Sequence, residues 1–334
     1  MINIAVIGYG YWGPNLVRNL INSNDFNLKA VSDLDPKKTK VLRKSHPNIE
    51  INKSFTKIIS DKSIDAIAIA TPISTHFELA LDCLNAGKHV FVEKPLSDSS
   101  LKCQKLIDLA DLKNLVLFVD HTFPYTEAVK KVKELIDSNH LGKILYFDST
   151  RINLGLFQFD SNVIWDLAIH DLSIIINLFN EMPIKVSATG NSCLNNHPIN
   201  MASMSLEFAS QLHAHININW LSPVKMRHIL IGGDKKMLVY DDIESTEKIK
   251  IYDKGVDINE DITLNALQYG YRSGDVYIPY IKQTEALVNV IENFADSING
   301  NSNPLLSATD AIKIIKVLEK AELSIAEGGA PKSI

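Results

Sequence analysis

The stretch Ile2–Val17, INIAVIGYGYWGPNLV, decides the fold. A mostly apolar run enters Gly8-Tyr9-Gly10-Tyr11-Trp12-Gly13, and Asn15–Ser23 follows with Leu16, Val17, Leu20 and Ile21 at helical spacing. Strand, GxGxxG loop and helix in this order make a phosphate-binding turn. Gly8 permits the tight bend, Gly10 lets backbone approach a pyrophosphate, and Gly13 lets helix and strand pack closely. The first helical amides then face the phosphate charge, and Pro14 sits where its missing N–H is not needed.

Twenty residues past Gly13, Asp33 ends a second apolar run. A carboxylate there is placed to accept from adenine-ribose hydroxyls, and its charge repels a 2′-phosphate. NAD is therefore favoured over NADP, although Lys37 and Lys38 nearby temper the preference. Gly8, Gly10, Tyr11, Trp12, Gly13 and Asp33 are the candidate cofactor residues of this segment. The competing reading is a plain turn with Asp33 as a helix cap. The sequential order of strand, loop, helix and acid disfavours it.

Outward from this stretch, Leu28–Asp33, Ala66–Thr71, Lys88–Glu93 and Leu115–Asp120 repeat the short apolar run, with amphipathic segments such as His76–Ala86 between them. Strands buried on both faces and alternating with helices predict a doubly wound parallel sheet of α/β class over residues 1–123. Gly87 is expected to end the helix before it in a left-handed conformation. After Phe123 the pattern changes: a helix over Thr126–Asn139 precedes strict alternation in Gln211–Trp220, where Leu212, Ala214, Ile216, Ile218 and Trp220 share one face. Residues 124–334 are thus predicted to form an α+β domain on an open, largely antiparallel sheet. A closing helix near 309–327 is free to pack back on the first domain.

A net charge of -5 gives no excess of basic residues for binding a nucleic acid. Cys83, Cys103 and Cys193 lack any CxxC spacing and are read as buried, reduced thiols. No apolar run is long enough to span a bilayer, and the run Ile2–Ile7 is too short for a secretion signal, so a cytoplasmic protein without membrane contact is expected. His213 and His215 share a strand face with no third ligand nearby, so no metal is expected. Their polar face reads instead as a contact between copies in a homodimer or homotetramer.

Thr71-Pro72-Ile73-Ser74-Thr75-His76 followed by Gly87-Lys88-His89-Val90-Phe91-Val92-Glu93-Lys94-Pro95 resembles the glucose-fructose oxidoreductase / inositol dehydrogenase / MocA (Gfo/Idh/MocA) family, as does Trp165-Asp166-Leu167-Ala168-Ile169-His170-Asp171. The resemblance covers essentially the whole chain. Gly10–Asn15, Arg151–Gly155 and Trp165–Asp171 look most like a subgroup tied to nucleotide sugars, some of whose members are UDP-N-acetylglucosamine 3-dehydrogenases. It implies an NAD-dependent dehydrogenase, with Thr71, Pro72, His76 and Glu93 along the cofactor cleft. Asp120 departs from the family pattern, which usually has Gly there, and Ile169 stands where close relatives often have Pro.

Oxidising a secondary alcohol needs a base for the hydroxyl proton and a donor beside the reacting oxygen. His170, four residues after Asp166, shares its face if the stretch is helical, and neutral imidazole suits proton transfer near neutral pH. Lys94 follows the apolar strand Val90–Val92 at its carboxyl end, where ligands bind in open α/β sheets, and its ammonium is suited to hydrogen-bond the reacting oxygen. The pattern leaves open which of the two is the base; we take His170, with Asp166 orienting substrate or steadying charge. His121, Asp120, Arg151 and Arg272 are candidate substrate contacts, Arg151 for a phosphate or N-acetyl group. The expected reaction is oxidation at C3 of a nucleotide-linked sugar. Rivals are an inositol or polyol 2-dehydrogenase, a dTDP-sugar ketoreductase, and a non-catalytic NAD-binding regulator.

Overall fold

The computed structural model describes every residue except Lys53, 156–160, 195–196 and 262–265, with backbone alone for 257–261 and 266–269. The chain divides into two compact units, Met1–Thr126 with Thr284–Lys316, and Glu127–Gln283 with Val317–Ile334.

The first unit runs β1 (Ile2–Ile7), α1 (Gly13–Asn22), β2 (Phe26–Ser32), α2 (Pro36–Ser45), β3 (Glu50–Asn52), α3 (Phe55–Ser60), β4 (Ala66–Ile69), α4 (Ile73–Asn85), β5 (His89–Glu93), α5 (Ser100–Lys113) and β6 (Leu117–Asp120). Its strands form one sheet in the order β3-β2-β1-β4-β5-β6, parallel throughout. This is the Rossmann order, whose crevice opens at the carboxyl ends of the strands where the winding reverses, between β1 and β4. Helices cover both faces, so Ile4, Ala5 and Val6 are fully buried, as the mostly apolar run of β1 requires. Gly87 adopts φ +76° just past α4, the left-handed position expected of it.

The second unit contains α6 (Glu127–Asp137), β7 (Ile144–Leu154), a π turn (Ile164–Ala168) leading into α7 (Ile169–Phe179), β8 (Pro183–Asn191), β9 (Met201–Phe208), β10 (His213–Asn219), β11 (Leu221–Gly233), β12 (Met237–Asp241), β13 (Ile249–Asp261) and β14 (Ala266–Tyr277). In β10 the apolar residues are buried and His213, His215 and Asn217 exposed, following the alternation in the sequence. β10 is antiparallel to β9 but parallel to β7, a pairing that alternation alone does not specify.

α8 (Ala286–Asn299) and the start of α9 (Ala308–Ala326) belong to the first unit, while the end of α9 and β15 (Lys332–Ser333) belong to the second. The first unit thus takes in α8 and the start of α9 as well as the chain up to Thr126. The physical reason is apolar: Phe294 of α8 lies 5.6 Å from Phe26, 5.5 Å from Phe91 and 5.4 Å from Phe118 between ring centres, and Leu287, Val290 and Ile291 join the same core. Without α8, Phe26, Phe91 and Phe118 would lose the apolar cover that Phe294 gives them. β15 completes the second sheet, ordered β14-β13-β12-β11-β7-β10-β9-β8-β15.

Cys83 and Cys103 are buried, but Cys193 is exposed, which corrects the reading of all three as interior thiols. Among the described residues no helix is long and apolar enough to cross a membrane.

Candidate active site

In the first unit the loop between β1 and α1 meets the stereochemical demands of a dinucleotide cradle. Gly8 has φ +101°, and a Cβ there would lie 2.4 Å from the Ala70 carbonyl oxygen. A Cβ on Gly13 would lie 2.6 Å from the Gly8 carbonyl oxygen, whereas one on Gly10 would meet nothing within 4 Å. The outer two glycines are thus required by the protein itself. Gly10 is not, and its open surface is what a close-approaching pyrophosphate would use. The Gly8 N–H donates to the Ser32 carbonyl at 2.8 Å, joining the loop to the end of β2.

Asp33 closes the same turn. One carboxylate oxygen accepts from the Tyr9 N–H at 2.7 Å and the other from the Asp35 N–H at 2.7 Å. Each oxygen has a further lone pair, and the residue is half-buried, so a diol can still bind there. Tyr11 is 83 % exposed, whereas Trp12 buries its indole Nε1, which has no hydrogen-bond partner.

At the carboxyl end of β4, Pro72 precedes α4, and Thr75 Oγ1 donates to the Pro72 carbonyl at 2.8 Å and lies 2.7 Å from Thr71 Oγ1. His76 is 1 % exposed, with Nδ1 2.8 Å from the Pro95 carbonyl oxygen and Nε2 2.8 Å from that of Thr71. Its ring ties the loop after β4 to the turn after β5. Both nitrogens face backbone carbonyl oxygens, and a neutral ring can donate to only one of them. Burial, above all, lowers its proton affinity.

Lys94 stands at the end of β5, half-buried, and its bond to Pro95 is cis. Around this strand end lie orphaned buried atoms: Glu93 Oε1, Asp120 Oδ2, both nitrogens of His121, and Trp12 Nε1. Burial and then the Lys94 charge push His121 down to about 4, with Asp310 opposing. Burial and then the Asp120 charge push Glu93 well above the usual carboxylate range, and burial raises Asp120 too. Asp120 and His121, read as substrate contacts, are 0 % and 1 % exposed. Both are thus buried rather than part of a surface that a sugar could touch.

In the second unit Asp166 lies in the π turn and His170 in the first turn of α7. Both are partly exposed, whereas Trp165, Ala168, Ile169 and Asp171 are buried, so the two candidates share the open side of one continuous helical stretch. Such π turns recur at functional sites. The Trp220 indole N–H donates to Asp166 Oδ2 at 3.0 Å and fixes that carboxylate. Trp220 shares the apolar face of the alternation in Gln211–Trp220, and nothing local to β10 or the π turn signals the contact.

Two arginines have other employment. Arg151 is 4 % exposed, and its Nε and Nη2 donate at 3.0 Å to Asp171, which also accepts from Ser149 Oγ at 2.8 Å. A guanidinium held this way is a structural ion pair in the interior, which corrects its expected role toward phosphate. Arg272 donates to Asp253 Oδ1 at 3.0 Å and to the Lys235 carbonyl, holding the β13–β14 hairpin. Among the described residues no group of three His, Cys, Asp or Glu side chains is arranged to hold a metal. His215 Nδ1 lies 2.7 Å from Asp148 Oδ1 on the exposed sheet face.

Residues 2–121 match the oxidoreductase family with an NAD-binding Rossmann fold, and residues 129–239 match the Gfo/Idh/MocA C-terminal domain. The chain belongs to the Gfo/Idh/MocA family. Its first unit is accordingly an NAD(P)-binding Rossmann domain. This family member is 28 % identical over 198 residues to the myo-inositol 2-dehydrogenase of Thermotoga maritima, a match covering 57 % of this chain and 58 % of that enzyme. It is 26 % identical over 271 residues to the 2,7-anhydro-N-acetylneuraminate hydratase of Escherichia coli, covering 75 % and 70 %. In fold it is similar to the UDP-N-acetylglucosamine 3-dehydrogenase of Acidithiobacillus ferrooxidans, with a TM-score of 0.82, 21 % identity and 98 % of each chain covered.

Proposed function

We propose that this Gfo/Idh/MocA protein is a cytoplasmic NAD-dependent dehydrogenase. It oxidises a secondary hydroxyl, at C3 of a nucleotide-linked sugar such as UDP-N-acetylglucosamine, to the 3-keto sugar. The observation that carries the reading is a single strand-end constellation in the first unit: an open Gly10, Asp33 at the end of β2, and Lys94 at the end of β5.

NAD+, when bound, accepts the two electrons and the hydrogen of the carbinol carbon. The chain's own residues manage the oxygen and its proton. His170 takes the hydroxyl proton as the C=O bond forms, Asp166 orients the sugar, and the Lys94 ammonium donates to the oxygen as negative charge develops on it. Gly8, Gly10 and Gly13 shape the pyrophosphate cradle, and Asp33 receives the ribose diol. Asp33 also favours NAD over NADP, because a 2′-phosphate would meet its charge. The exposed face of the second sheet, bearing His213, His215 and Asn217, is the contact between copies in a homo-oligomer.

Similarity to the myo-inositol enzyme favours a second reading, oxidation of a free cyclic polyol, by the same residues. The test is NADH formation across a panel of UDP-sugars and free polyols, with wild type, Lys94→Ala and His170→Ala. Each variant is expected to bind NADH normally and to lose about 10²–10⁴-fold in kcat. Unchanged turnover in both variants would refute the site, and activity on polyols alone would refute the sugar nucleotide.

A further inference from the structure

Glu93 and Asp120 are register partners on the adjacent parallel strands β5 and β6, so their side chains leave the same face of the sheet at the same level. The carboxyl groups lie within hydrogen-bonding reach of each other. Asp120 is 0 % exposed, and its Oδ1 accepts from Thr122 Oγ1 at 2.9 Å. The Lys94 backbone N–H supplies a donor to Glu93. Two shielded oxygens remain, Glu93 Oε1 and Asp120 Oδ2, with no N–H or O–H bonded to either. Two ionised carboxylates cannot bond to one another, because each only accepts; one proton turns the contact into a charge-assisted hydrogen bond.

We propose that Glu93 and Asp120 hold one proton between them at neutral pH, a carboxyl–carboxylate pair with a single negative charge set against Lys94. The surroundings agree. Burial opposes ionisation of both acids, whereas Thr122 and Lys94 favour the ionised form of Asp120. Tyr125, also buried, feels the Asp120 charge. By contrast Asp61, Asp98, Asp242, Glu244, Glu285 and Asp310 are displaced downward. The charge rests on Asp120, where Thr122 already donates, and the proton on Glu93.

Glu93 and Asp120 are then positioning residues. Their shared proton ties the end of β6 to the end of β5, and their single charge is the counter-charge behind the amine. The effect on Lys94 rests on the activity proposed above, but the shared proton does not.

Infrared spectroscopy of the full-length protein in D2O separates the two. Ordinary Asp and Glu side chains are ionised at neutral pH, so a protonated-carboxyl stretch there reports an exceptional group. We expect a band for a single carboxyl per chain, lost in Glu93→Gln and in Asp120→Asn, each of which replaces the shared proton by an amide donor. No such band in the folded wild type, or a band that survives both substitutions, overturns the proposal. Should either variant fail to fold, Thr122→Val serves: removing its hydroxyl raises the pH at which the band disappears, and an unmoved midpoint overturns the assignment. Turnover of the wild type should fall as pH rises past that midpoint, and this limb should be missing in Asp120→Asn. If the band behaves as stated while no alcohol is oxidised, the activity reading fails and the shared proton stands.

Discussion

Replacing His121 by Gln should remove a specific acid sensitivity from the first unit. The ring is buried, and burial followed by the Lys94 charge lowers it from 6.5 to about 4. At 1.36 kcal/mol per unit this amounts to about 3 kcal/mol. Because the folded-state value is depressed, the unfolded chain binds the extra proton between those two values, and stability rises with pH there. The contribution is whole above pH 6.5 and is lost as pH falls through 6.5 toward about 4. Gln carries no titrating proton, so the stability difference between wild type and variant should shrink by about 3 kcal/mol from pH 7 to pH 4, on top of any pH-independent cost of the substitution. Carboxylates titrate in both proteins and largely cancel. Pulse-labelling hydrogen exchange across a urea series at each pH, read on peptides covering residues 117–125, isolates the first unit from the second. A difference that stays constant over the whole range would mean that His121 does not change its charge on unfolding, and the reasoning from its burial would be wrong.

The glycine loop separates folding from binding: Gly10→Ala should keep wild-type thermal stability yet weaken NADH binding at least tenfold in a fluorescence titration, since its methyl meets no protein atom within 4 Å. Gly13→Ala should instead lose about 1–3 kcal/mol of stability, because its methyl meets the Gly8 carbonyl oxygen. In the second unit, Asp171→Asn should cost about 3–5 kcal/mol in urea unfolding by leaving the Arg151 charge buried without its partner. Replacing both Arg151 and Asp171 by apolar residues of similar volume should recover most of that loss.

Several features were legible because their causes are local. The apolar period of β1, the left-handed backbone at Gly8 and Gly87, and the acid ending β2 each follow from a few neighbouring residues. The alternation in β10 marked its buried face correctly for the same reason. α2 escaped notice because Thr39 and Leu42 are its only buried residues, too few to mark a helical stripe. The return of α8 to the first sheet was illegible, since its partners Phe26, Phe91 and Phe118 lie far away in sequence.

By itself the sequence determined the doubly wound first half, its dinucleotide loop and the family to which the chain belongs, because handedness, periodicity and glycine stereochemistry act over neighbouring residues. Only the tertiary structure decided which polar residues are available for chemistry. Arg151 is claimed by Asp171, His76 faces two backbone carbonyls, and Asp120 is claimed by Thr122 and Glu93. A side chain's partners are set by strand register and by packing between distant segments, and a linear pattern carries neither.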